Sequence, residues 1–340
     1  MIAGRIARRM LVAPRTRPEE AELGPALDRL GGEITRIRSR DGLRLSARWL
    51  DAESADPAWR PDPREAIVLL HGYSGSVAPD LVEYGPVLRR TAGVLGLDFR
   101  GHGDSDPGET TFGLREVEDV AGALDWLGER GLRRVALAGT SMGGIVAIAA
   151  TVVLGDGALA GVDTDPDAPR LTSQAPRPRI VGIAAEAVPA ELPTVVANRI
   201  RGPGLVRRWL ARRAFASAAG LLGADPRETE PIRVLPLLED LPVLLIHGEA
   251  DATVPLVEGR RLVAAAGPGA EHWTIPGAGH ALGRRTSPEA WDERVTTFLR
   301  GAFTAGRDRE VALGILGSPA TEPSDIQDAL PPPEEADQLA

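Results

Sequence analysis

The sequence predicts an α/β fold: a doubly wound, mostly parallel sheet with an inserted helical cap. Three observations predict it. Short apolar runs alternate with helical patterns between about residues 33 and 303, the order expected of a parallel sheet wrapped by helices. One junction reads Gly139-Thr140-Ser141-Met142-Gly143, between the apolar runs Val135-Ala136-Leu137-Ala138 and Ile145-Val146-Ala147-Ile148-Ala149-Ala150. That order is strand, sharp turn, helix. The polar motifs fall at the carboxyl ends of such runs, where open α/β sheets bind ligands.

In chain order, two strands are expected at Glu33 to Ser39 and Leu43 to Leu50, with Asp41-Gly42 as a hairpin signal between them. A Pro- and Asp-rich loop follows from Asp51 to Pro63. Ile67-Val68-Leu69-Leu70 is a continuous apolar run, as for a strand buried on both faces, and it ends in His71-Gly72-Tyr73-Ser74-Gly75. A helix from about Asp80 to Arg90 leads to a strand at Val94 to Leu97, which ends in the block Asp98 to Ser105. A helix from Arg115 to Glu129 precedes the strand and turn around Ser141. Gly161 to Pro178 reads as an irregular excursion. Further strands are expected at Ile180 to Ala185, Val243 to Ile246 and His272 to Ile275, with helices at Val257 to Ala266 and Ser287 to Phe303. Helical patterning from Leu192 to Gly223 has no strand partner and marks the cap.

The 340 residues suffice for one large domain. The expected organisation is a basic extension at 1–32, a body at 33–305 with the cap inserted at about 188–238, and an acidic, disordered tail at 306–340. The net charge of −9 is uneven: residues 306–340 carry eight acids and two arginines. The mildly acidic remainder argues against a general nucleic-acid surface. There is no cysteine, which excludes disulfides, thiolate zinc sites and a cysteine nucleophile. No apolar run reaches the ~20 residues needed to span a bilayer. The start lacks a secretory pattern, so a cytoplasmic protein is expected. Met1 to Arg17 holds five arginines and no acid, with Ile2, Ile6 and Met10 at helical spacing. This reads as a solvated or frayed N-terminal helix, or as a basic amphipathic segment making weak, peripheral contact with a membrane surface.

The Gly-x-Ser-x-Gly pattern matches a nucleophile elbow, a strained turn that closes only with small neighbours. The serine then stands at a helix start, where a backbone N–H and the helix dipole favour developing negative charge. A serine alcohol needs a base, and the base needs an orienting group. Five histidines are available: His71, His102, His247, His272 and His280. The first four read as backbone-bonding or surface residues. His280 stands in a Gly-flanked loop after the last strand, where an imidazole can swing over the sheet edge, and is the expected base. Asp251, at the end of the preceding strand, is the expected acid; Glu186 is its rival and reads as a structural or pocket carboxylate.

The resulting order, Ser141, Asp251, His280, resembles the α/β-hydrolase superfamily over about Ile34 to Phe303. The matching pieces are His71-Gly72-Tyr73, the Asp98 to Ser105 block, the elbow, Asp251 and His280. The resemblance implies an oxyanion hole at the backbone N–H groups of Tyr73 and Met142, and a structural role for Asp98 to Ser105. It implies a serine hydrolase acting on carboxylic esters of small or lipid acyl groups. Peptidase, thioesterase and acyltransferase chemistry share the same acyl-enzyme, and a non-catalytic binding protein is the rival class. Ser141 argues against a dehalogenase route, which needs Asp at the elbow. No metal-ligand spacing or dinucleotide fingerprint is present, so no cofactor is expected. In the cap, six arginines lie between Arg199 and Arg213 with no acid. They read as the solvated side of a helix docked by Trp209 and Leu210, or as a lid that meets an anionic substrate or interface.

Overall fold

The computed structural model describes residues 2–12, 22–54, 56–73, 75–155, 175–238 and 240–315. Its elements in chain order are α1 (Ile2–Met10), α2 (Gly24–Leu30), β1 (Glu33–Arg38), β2 (Arg44–Leu50), β3 (Glu65–Leu70), α3 (Ala78–Leu88), β4 (Gly93–Leu97), α4 (Glu116–Glu129), β5 (Arg134–Thr140) and α5 (Met142–Leu154). They continue with β6 (Arg179–Glu186), α6 (Leu192–Arg199), α7 (Gly204–Leu222), α8 (Pro231–Val234), β7 (Val243–Gly248), α9 (Leu256–Ala265), β8 (Ala270–Ile275), α10 (Gly283–Thr286) and α11 (Pro288–Ala312). The strands form one sheet in the order β1-β2-β4-β3-β5-β6-β7-β8. The β1–β2 and β2–β4 pairs are antiparallel, and every later pair is parallel.

Helices cover both faces, which explains the unbroken apolar central strands. Successive side chains of β3 alternate between two cores. Val68 and Leu70 join Val120 and Leu124 of α4 and Ile148 of α5. Ile67 and Leu69 join Leu81 of α3 and Val295 and Leu299 of α11. Chain order reverses on either side of β3, so the carboxyl ends of β3, β5 and β6 meet at the rim where the candidate residues lie. Helices α6, α7 and α8 stand between β6 and β7 in the chain. Most of the excursion expected at Gly161 to Pro178 lies outside the described residues.

Three expectations need correction. The N-terminal segment is not a solvated helix. Ala7 and Leu11 pack with Ala218 and Leu222 of α7, and Met10 reaches the main core. Apolar side chains at 7, 10 and 11 form the buried stripe of a helix docked on the cap. Secondly, α7 docks through Ala211, Ala214, Phe215, Ala218 and Leu222, whereas Trp209 is 60% exposed. Small residues at i, i+3 and i+4 spacing let this helix approach closely, and the large aromatic is left outside. Thirdly, α11 continues to Ala312, beyond the expected start of the tail. Its Glu310 is buried and bonds Arg134, which Glu65 and Asp62 also hold. A fully buried guanidinium needs such partners, and the last helical turns supply one. Residues 316–340 of the expected tail lie outside the described residues.

Candidate active site

The turn after β5 puts Ser141 at φ 49° and ψ −110°, a conformation a non-glycine residue rarely adopts. Holding it costs on the order of 1–3 kcal/mol, offset by the surrounding structure. Two glycines make it feasible. A Cβ on Gly143 would stand 2.0 Å from the Leu70 carbonyl oxygen, and one on Gly139 would stand 2.4 Å from the Gly143 carbonyl carbon. The Ser141 N–H donates to the Glu186 carbonyl at 2.8 Å, which pins the elbow to β6. Met142 opens α5, so its N–H has no acceptor within the helix.

The loops after β7 and β8 are laced together. Glu249 N–H donates to the Ile275 carbonyl at 3.0 Å and Ala250 N–H to the Ala278 carbonyl at 2.9 Å. Gly248 is necessary at this crossing, because a Cβ there would meet the Ala278 carbonyl oxygen at 2.4 Å. The lacing brings Asp251 to His280. Asp251 Oδ2 is 2.7 Å from His280 Nδ1, while its Oδ1 accepts from the N–H groups of Thr253 and Val254, each at 2.8 Å. The Asp251 side chain is wholly buried and that of His280 a quarter exposed. His280 Nε2 lies 3.1 Å from Ser141 Oγ. With Nδ1–H donating to Asp251, Nε2 is left with a lone pair facing the serine hydroxyl.

Glu186 is placed otherwise. Its Oε1 accepts from Gly283 N–H at 2.7 Å and its Oε2 from Trp291 Nε1–H at 3.1 Å. Burial pushes its carboxyl above the usual range, opposed by those two hydrogen bonds. It braces the segment that carries His280 and, through its carbonyl, the elbow. The other histidines face backbone groups: His71 Nδ1–H donates to the Gly72 carbonyl and its Nε2 accepts from Phe99 N–H, His102 Nδ1 meets the Arg100 carbonyl, and His247 Nε2 meets the Val254 carbonyl. His272 lies half-buried beside His247, and burial lowers its affinity for a proton. The Asp98 to Ser105 block ties down its own loop. Asp98 accepts from Val77 and Asp104 N–H, and Ser105 donates to the Asp98 carbonyl.

Beside Ser141 lies a cavity of about 540 Å³. Its walls include Tyr73, Phe112, Met142, Ile145, Leu192, Val196 and Phe215. Part of the wall is the N-terminal segment, with Ile6, Arg9, Met10 and Val12. The loop after β3 borders the serine: a Cβ on Gly72 would stand 3.8 Å from Ser141 Cβ. The next residue, Tyr73, stacks on Phe112 with ring centres 5.7 Å apart, and its hydroxyl is 3.2 Å from the carbonyl oxygens of Arg9 and Met10. The cavity contribution of residues 6–12 was not read from the sequence. The helical spacing of Ile6 and Met10 was its one signal. A larger cleft, about 720 Å³, is lined by charged residues such as Arg29, Glu53 and Arg300.

A family model described as "Alpha/beta hydrolase family" matches residues 67–294. The chain belongs to this family. The matched span runs from β3 to α11 and includes Ser141, Asp251 and His280. Solved structures agree on the fold. The esterase Pf2001 of Pyrococcus furiosus is similar over 86% of this chain and 98% of its own, with a TM-score of 0.56 and 21% identity. A thermophilic esterase from Thermogutta terrifontis is similar over 79% and 99%, with a TM-score of 0.52 and 19% identity. The esterase EaEST of Exiguobacterium antarcticum is similar over 79% and 100%, with a TM-score of 0.51 and 16% identity. A comparison with curated proteins returns no match. Within this fold the turn after β5 and the loops after β7 and β8, which carry Ser141, Asp251 and His280, lie along one edge of the sheet.

Proposed function

We propose that this α/β hydrolase is a serine esterase that cleaves a carboxylic ester through an acyl-enzyme and needs no cofactor. The observation that supports it best is the single imidazole that meets Asp251 at 2.7 Å and Ser141 at 3.1 Å. In this reading Ser141 Oγ attacks the ester carbonyl while His280 Nε2 takes the hydroxyl proton. Asp251 holds the tautomer and stabilises the imidazolium. The tetrahedral oxyanion is received by the N–H groups of Tyr73 and Met142. Losing one such donor costs about 3 kcal/mol of barrier. The tetrahedral centre collapses, the carbon–oxygen bond to the alcohol breaks, and His280 returns its proton to the departing alkoxide. Water then repeats the cycle: His280 takes its proton, hydroxide adds to the acyl carbon, and Ser141 leaves as the alcohol.

Each role is filled by a side chain or backbone group, so the chemistry calls for no metal or coenzyme. The apolar cavity wall suits an acyl group of several carbons. Peptidase, thioesterase and acyltransferase activities would use the same acyl-enzyme and differ in leaving group or acceptor. A fluorophosphonate probe is expected to label the wild-type chain at Ser141 and leave Ser141→Ala unlabelled. Short p-nitrophenyl esters are expected to turn over with the first and not the second. A folded wild-type chain that shows neither labelling nor turnover, yet binds acyl ligands, would make it a binding protein instead.

A further inference from the structure

We propose that the outer face formed by α1 and α7 docks on an anionic lipid surface. Each helix has already spent an apolar face on packing: α1 through Ala7, Met10 and Leu11, and α7 through Ala211, Ala214, Phe215, Ala218 and Leu222. Large apolar side chains remain outside. Leu205 is 78% exposed, Val12 69%, Ile2 63% and Trp209 60%. They exceed what docking of the cap requires. An exposed tryptophan among leucine and valine matches the composition that settles at the boundary between headgroups and acyl chains.

Charge on these two helices and on the residues leading into α7 points to the same partner. Residues 2–12 carry three arginines, residues 199–222 carry six, and neither stretch contains an acid. Among the described residues, none of the nine has a carboxylate partner. Arginines of the body are held differently: Arg100 by Asp41 and Asp119, Arg134 by three acids, Arg284 by Glu83 and Asp292. A chain of net charge −9 thus concentrates seven of the nine cations on two contacting helices, with Arg199 and Arg201 just before the second. Such a face attracts a polyanion. A nucleic acid would leave Leu205 and Val206 in water. A second copy docked face to face would bring the arginines of both copies together. An anionic bilayer takes both the cations and the apolar side chains.

Arg9, Val12, Arg199 and Ile200 line the cavity beside Ser141 and belong to the same two stretches. Docking would therefore turn the cavity toward lipid. That consequence rests on the esterase reading; the docking itself does not.

The test uses the full-length chain with Ser141→Ala, so that no lipid is consumed. Sedimentation with vesicles of phosphatidylcholine is compared with vesicles that also contain phosphatidylglycerol. Binding is expected to be at least ~10-fold tighter to the anionic vesicles and to vanish near ~1 M salt, where screening acts over about 3 Å. The pairs Arg208→Glu with Arg212→Glu, and Leu205→Ser with Trp209→Ser, are each expected to weaken it at least ~10-fold. All four positions are solvent-facing and outside the cavity wall. Circular dichroism and melting of the variants should match the parent. Introduced without Ser141→Ala, these pairs should leave turnover of a soluble short ester unchanged, so loss of that turnover would bear on the chemistry and loss of sedimentation on the docking. The proposal is overturned by equal binding to both vesicle types, by variants that bind like the parent, by preferential binding to duplex DNA or RNA, or by self-association that the same variants abolish.

Discussion

Asp251 and His280 meet at 2.7 Å because the two loops that carry them share backbone hydrogen bonds. The Asp251 carboxylate is pre-set by two N–H donors of its own turn, and its second oxygen faces the imidazole. Asp251→Asn keeps the shape but presents an amide to Nδ1, which favours the wrong tautomer. A fall in kcat of about four orders of magnitude is expected, with the far-ultraviolet spectrum unchanged. A loss below about tenfold would mean that the acid is not Asp251.

Glu186 yields a prediction about pH. Burial raises its carboxyl above the ordinary value of 4.5 in the folded chain, with Gly283 N–H and the Trp291 indole opposing the rise. A raised carboxyl makes the native state bind more protons than the unfolded state in the window above pH 4.5. Native stability contributed by this group therefore falls as pH rises through that window. Glu186→Gln has no such titration. The variant is expected to melt below the wild type at low pH, since an amide cannot accept from both donors. The gap should narrow as pH rises. Thermal melts of both proteins across this range check the sign; a gap that widens with pH contradicts it.

Gly143 faces the carbonyl of Leu70, and no rotamer change relieves a Cβ placed 2.0 Å from backbone oxygen. Gly143→Ala is expected to destabilise by about 1–3 kcal/mol as the elbow moves off β3. Fluorophosphonate labelling of Ser141 should slow with it. Gly301→Ala, where nothing lies within 4 Å of the added carbon, serves as the control and should melt at or above the wild-type temperature.

The end of α11 can be tested by truncation. A chain stopped after residue 305 loses Glu310, one of the three acids that hold the Arg134 guanidinium. Breaking a buried pair in this way costs about 3–5 kcal/mol. A chain stopped after Ile315 keeps the contact. Urea midpoints are expected to fall sharply for the shorter chain relative to the longer one. Glu310→Gln should lie between them.

Much of the site was legible because its chemistry depends on local sequence. Strand-turn-helix order, small residues around Ser141 and a Gly-flanked histidine after the last strand are patterns in neighbouring residues. The parallel central strands were equally readable from unbroken apolar runs, since burial on both faces leaves no polar alternation. Trp209 was misplaced because hydrophobicity alone does not say which side of a helix the tertiary structure covers. Ala211, Ala214 and Ala218 permit a closer approach than a tryptophan would. Glu310 was assigned to the tail because acidic composition around it resembles disorder. Its partner, Arg134, lies 176 residues away.

The sequence by itself determined the fold class, the family resemblance and the places of Ser141 and His280 at the sheet edge, because each depends on spacing within one element or one loop. Tertiary structure decided which carboxylate faces His280, where α11 ends, and that residues 6–12 wall the cavity and pack against α7. Those outcomes turn on contacts between segments far apart in the chain. Such contacts are selected by shape and by the cost of leaving charge unpaired, and neither quantity is written in any one stretch of residues.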